Sequence, residues 1–273
     1  MSIRRSILAT GLAAGLATCI PFAARGAKPD HLTPEQMAGA TQVDAISVPT
    51  PGELFAAIDK VGKPNWQGQY RKPIETAYSS RPQIALNLGG LVADGYVAVE
   101  AEDSQQVKNI GKDIETMAKG LGVGQNILSR GSSITDFAEN NEWSALKEEL
   151  EATQNEVKLA MDEQHDDDLV VMVSLGGWIR GTEVVSSWIA KNYTPATAEI
   201  LRQPALIAFL RGKIRTLSGK IQDDPLVGKV SRGLEQMQSL VSFPRETPPT
   251  LEDVKKLRDA SSALVKEISG KKD

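Results

Sequence analysis

The sequence predicts an all-α fold, a multi-helix bundle, on three observations. Apolar residues recur three and four apart in several long stretches, capping residues bound those stretches, and no segment sustains period-two alternation between turn signals. A hydrophobic share of 41% with 24% charged residues is ordinary for a globular chain, so disordered and low-complexity readings fall away.

The order of parts at the N-terminus reads as an export signal over residues 1–26. Arg4 and Arg5 precede an uncharged run from Ile7 to Ala24, and Ala24-Arg25-Gly26 offers small residues before a cut at Ala27. A retained membrane anchor is the alternative. Arg4-Arg5-Ser6-Ile7-Leu8 resembles a twin-arginine signal without its full flanks, and Leu16-Ala17-Thr18-Cys19 resembles a lipobox with Thr18 in place of a smaller residue. Cys19 is therefore a candidate lipidation point, against a plain apolar role in the signal. The first 26 residues hold three arginines and no acid, which leaves 28 cations against 35 acids, a net charge of −7, in the remainder. Residues 27–49 are polar and aperiodic and are expected to form a tether, with residues 50–273 as one helical domain.

Thr50-Pro51-Gly52-Glu53 combines a Thr cap, a Pro at the first helical position and a Glu at the third, and so starts a helix. Two stretches, about 82–102 and 168–191, are apolar nearly all round, which places them at the centre of a bundle. Asp94 in the first, and Arg180 and Glu183 in the second, argue against membrane spans. Between them, Asp103 and Ser104 open a helix with Val107, Ile110, Ile114, Met117 and Leu121, closed at Gly122. A long helix follows from Trp143 through Leu146, Leu150 and Val157 to Met161. Asp224-Pro225 and Thr250 open two further helices, the last a docking helix over 250–270.

The two central stretches match at Leu88/Leu175, Gly89/Gly176, Gly90/Gly177 and Val97/Val184, all 87 residues apart. This predicts a duplication, with pseudo-symmetric halves at about 82–165 and 168–243; coincidence between two glycine-bearing buried helices is the competing account. Paired glycines weaken a helix, so close approach of the two backbones is expected there.

No catalytic set emerges. A single Cys and two His exclude a disulfide framework and zinc fingers, and neither His lies where a nucleophile triad would need it. Glu163 to Asp168 gathers acids around His165, which reads as a helix end followed by a helix start better than as a metal site. No metal and no cofactor is expected, and the acidic balance gives no footprint for nucleic acid.

The stretch 63–81 stands apart, with Trp66, Tyr70, Arg71 and Arg81 among Pro, Gln and Ser. Aromatics and arginines on a loop suit an anionic partner at the cell envelope, such as a polyanionic glycan, a lipid head group or an acidic peptide. The competing reading has the rings plug one end of the bundle. Asp94 and Arg180 are expected to pair across the central crossing, because an unpaired buried charge is costly; a local Arg180–Glu183 pair is the alternative. The functional expectation is an exported, non-catalytic helical protein that binds a partner or small ligand. Its alternatives are an exported carboxylate hydrolase with a groove between the halves, and a structural lipoprotein anchored through Cys19.

Overall fold

The computed structural model describes residues 48–243 and 247–270, all within one compact unit. The predicted signal, Cys19 and all of the predicted tether but Val48 and Pro49 lie outside the described residues. Nine helices of two turns or more are described here: α1 (Pro51–Asp59), α2 (Arg81–Glu100), α3 (Ser104–Leu121), α4 (Gly124–Glu139), α5 (Trp143–Glu163), α6 (Asp167–Lys191), α7 (Pro204–Arg215), α8 (Pro225–Val241) and α9 (Leu251–Ser269). The described residues contain no strand.

The helix starts follow local chemistry. Thr50 and Thr250 each form a reciprocal capping box, with Glu53 and Asp253. Ser80, Asp103 and Asp224 accept backbone N–H bonds at the starts of α2, α3 and α8. Gly122 ends α3 at φ 86°, a left-handed conformation that suits glycine. The cap position of α6 is Asp166, whose side chain makes no capping bond and is drawn to Arg81. Helices α4 and α7 are additions to the elements the sequence predicts; of the described side chains of α4, Ala138 is buried and Ile134 and Phe137 pack on the core half-buried.

Helices α2 and α6 are the axis of the fold and run parallel. Arg81 at the start of α2 pairs with Asp166 at the start of α6, and further along both, Asp94 meets Arg180. Where they cross, the backbones nearly touch. A Cβ built at Gly89 would stand 1.9 Å from the carbonyl oxygen of Val173, and one at Gly176 would stand 1.9 Å from that of Leu86. Leu86 and Val173 are themselves 87 residues apart, as are the two glycines, so the contact is reciprocal at the offset read in the sequence. No side chain fits between the helices here, and that accounts for the glycines.

Around this axis, α3, α4 and α5 form successive antiparallel neighbours beside α2, joined across their ends by Lys108–Glu139 and Lys147–Glu100. On the other side α9 lies along α6, packs on α8 and also touches α2. The helix flanking α6 thus comes from beyond residue 243, outside the expected second half. α6 is long and apolar enough to cross a membrane, yet most of it is buried inside the fold. Its apolar faces are used up by α2, α9 and α1.

The end of α9 is tied down by amides rather than by solvent. Gln83 donates to the carbonyls of Ile268 and Gly270, Asn87 donates to Ile268, and the Tyr78 hydroxyl donates to Ser269. These are the carbonyls a helix end leaves without partners, and here they lie against α2.

Candidate functional site

The loop 60–80 runs alongside α2 from its C-terminal end to its start, and nearly every distinctive side chain on it points inward. Trp66 is buried and packs on Phe55 of α1, ring centroids 5.2 Å apart. The Tyr70 hydroxyl donates to Asp103 at 3.2 Å; burial first, and then the carboxylate beside it, push its pKa well above the usual tyrosine value. Arg71 Nε donates to Asp94 Oδ2 at 2.7 Å; its Nη2 stands as close but off line, an ion contact without a second hydrogen bond. Gly90 leaves the room this guanidinium occupies, since a Cβ there would lie 3.2 Å from Arg71 Nη2.

Arg180 completes the cluster. Its Nε donates to Asp94 Oδ1 at 2.8 Å, Nη1 to Glu183 at 2.8 Å and Nη2 to the Gln69 carbonyl at 2.7 Å. Burial works against its charge, but Asp94 and Glu183 outweigh that and hold its pKa above the ordinary arginine value. Asp94 therefore carries one guanidinium on each oxygen, and the cross-helix and local partners anticipated for Arg180 are both present. The sequence reading did not assign Arg71 to this carboxylate.

Trp66, Tyr70 and Arg71 of the loop and Arg81 of α2 do not converge on one concavity, unlike the anion site expected of them. Arg71 is spent on Asp94, whereas Arg81 forks onto Asp166 at the other end of α2. Thirteen helical residues separate Asp94 from Arg81, about 20 Å at 1.5 Å per residue. Trp66 and Arg71 fasten the loop to the core. Nor does the acidic stretch around His165 gather: Asp166 takes Arg81 and Asp168 accepts from the Ser218 N–H. Among the described residues no group of three or more candidate metal ligands occurs.

A concavity lies elsewhere, among α2–α5. Helices α2, α3, α4 and α5, with Val173 of α6, enclose a cavity of about 620 Å³. Its wall is mainly apolar: Leu88 and Val92 from α2, Ile110 and Ile114 from α3, Ile134 from α4 and Val157 from α5. Ile114, Ile134 and Leu150 occupy seam positions yet are only half-buried, because their faces meet this space instead of each other. Gly111 and Gly131 line it too, and a Cβ at either would have nothing within 4 Å. That is the opposite of Gly89 and Gly176. A helix-interior glycine costs about 0.8–1 kcal/mol relative to alanine, and no packing contact explains the cost at these two positions.

The polar part of the wall is smaller and includes Gln105, Ser132, Thr135 and Thr153, the last two donating their hydroxyls to the carbonyls of Gly131 and Glu149. Gln154 lines the cavity, and its Oε1 is buried with no hydrogen-bond partner. Lys108, Lys112 and Glu115 on α3 supply the charges. Lys108 pairs with Glu139 at 3.0 Å and Glu115 with Lys119. A cavity of this size falls inside the range of roughly 300–1,000 Å³ usual for small-molecule sites.

Two carboxyl groups do meet, at the far end of α2. Burial first, and then neighbouring Asp59, raise the Glu100 pKa above the usual glutamate value, against the opposing ammonium of Lys147 at 2.7 Å. This pair does not line the cavity. No protein-family model, no curated protein and no solved structure matches this chain.

Proposed function

We propose that the chain is an exported, non-catalytic helical protein that binds a small, mainly apolar ligand in the cavity framed by α2–α5. The observation that carries this reading is the pair Gly111 and Gly131, two helix-interior glycines that face open space inside an apolar wall. Local rules broken without a packing return are expected at functional sites. Gln154 adds a buried acceptor that a ligand N–H or O–H would satisfy. The wall offers one carboxylate, Glu115, already turned to Lys119, which favours binding over carboxylate-based hydrolysis.

The test uses the neutral fluorophore N-phenyl-1-naphthylamine, whose emission rises in apolar surroundings. The expected result is saturable binding to the wild-type chain and its loss in the Gly111→Leu/Gly131→Leu double variant, with helical circular dichroism unchanged. Absence of saturable binding, or binding that survives the filling, would overturn the reading. Export is tested separately by mass spectrometry of the mature N-terminus: a free Ala27 supports ordinary secretion, and an acylated Cys19 supports the lipoprotein alternative.

A further inference from the structure

The charges on α3 point to a narrower ligand class: we infer that the cavity takes a long-chain alkyl carboxylate, its chain against the apolar wall and its head at Lys112. This rests on the binding reading above and deepens it. Lys108, Lys112 and Glu115 share one face of α3 at spacings of four and three, and all three line the cavity. Lys108 is neutralised by Glu139, and Glu115 turns to Lys119. Among the described residues Lys112 has no carboxylate partner, although the chain carries more acids than bases. A cation left unpaired beside an apolar cavity on an acidic protein is a local attractor for an anion. One unmatched positive charge fits a monoanion better than a dianionic phosphate. The apolar part of the wall, with Leu88, Val92, Ile110 and Val157, offers methyl and methylene groups that suit an alkyl chain.

Gly111 sits next to Lys112 in the chain, so the feature that keeps the space open and the feature that would hold the head are adjacent on α3.

The probes are octanoate, dodecanoate and dodecanol, each displacing N-phenyl-1-naphthylamine below its micellar or solubility limit. Dodecanoate is expected to bind at least tenfold more tightly than octanoate, since each methylene contributes up to about fourfold. It should bind about tenfold more tightly than dodecanol, and Lys112→Gln should erase that preference while leaving dodecanol binding and the melting temperature unchanged. Lys112 is exposed, so the variant keeps its fold. Equal binding of dodecanoate and dodecanol, or no effect of Lys112→Gln, would overturn the carboxylate assignment while the neutral probe still binds and the cavity reading stands. Failure of all four compounds to bind would remove both.

Discussion

Asp94→Asn tests the ionic crossing most directly, because it keeps the side-chain shape and removes the charge. One oxygen of Asp94 accepts from Arg180 at 2.8 Å and the other from Arg71 at 2.7 Å. In the variant one acceptor becomes an amide donor that faces a guanidinium donor. Hydrogen bonds to charged groups contribute about 1.5–3 kcal/mol each, and removing one partner of a buried ion pair costs about 3–5 kcal/mol. Arg180 has a side chain only 5% exposed and would keep Glu183 as its sole counter-charge, whereas Arg71, at 19%, can swing outward. The expected loss is therefore about 4 kcal/mol, mostly from Arg180. At about 2–4 °C per kcal/mol for a chain of this size, the melting temperature should fall by roughly 10 °C. Urea denaturation followed by circular dichroism would measure it, together with Arg180→Met and the double variant. The double should cost at least about 1 kcal/mol less than the sum of the singles. A loss below about 1 kcal/mol for Asp94→Asn, or strict additivity, would refute the shared-carboxylate account.

Four further outcomes follow from the same geometry. Gly89→Ala and Gly176→Ala should each destabilise by more than about 2 kcal/mol, since a carbonyl oxygen stands where the methyl must go, whereas Gly111→Ala and Gly131→Ala should stabilise by about 0.8 kcal/mol; differential scanning calorimetry of the four separates close approach from open space. Trp66→Ala should cost about 3–5 kcal/mol as a core truncation yet leave N-phenyl-1-naphthylamine affinity unchanged, and an affinity loss without destabilisation would restore the loop as a binding surface. Asn87→Leu should cost only about 1 kcal/mol, since it removes one of two donors on the Ile268 carbonyl of α9 and Gln83 keeps the other, seen as faster hydrogen exchange confined to residues 262–270. Glu100, with its pKa raised in the fold, contributes stability that is present below the ordinary glutamate value and lost as pH rises through the folded one; the stability of the wild type relative to Glu100→Gln should therefore fall from pH 4 to pH 7, and a relative gain by the wild type over that range would contradict the raised pKa.

The all-α class and most helix starts were legible in the sequence because they depend on interactions three or four residues long. Thr50 with Glu53, Asp103 with Gln106 and Thr250 with Asp253 close within one turn, and the seams of α3, α5 and α8 repeat within one helix. The close crossing was legible for a related reason: glycine pairs in an apolar helix carry a local cost, and only a contact can offset it. Which contact each glycine makes was not legible. Gly89 meets a backbone oxygen and Gly131 meets open space, though both are glycines inside helices. The role of the stretch 63–81 was equally undetermined, since Arg71 and Arg81 have the same chemistry and only the path of the chain along α2 sends one to Asp94 and the other to Asp166. The cavity needed the tertiary structure outright. Apolar seams on α3, α4 and α5 demand burial, but whether they interdigitate or stand apart depends on how far the neighbouring helices are held from one another, a long-range distance that no local pattern encodes.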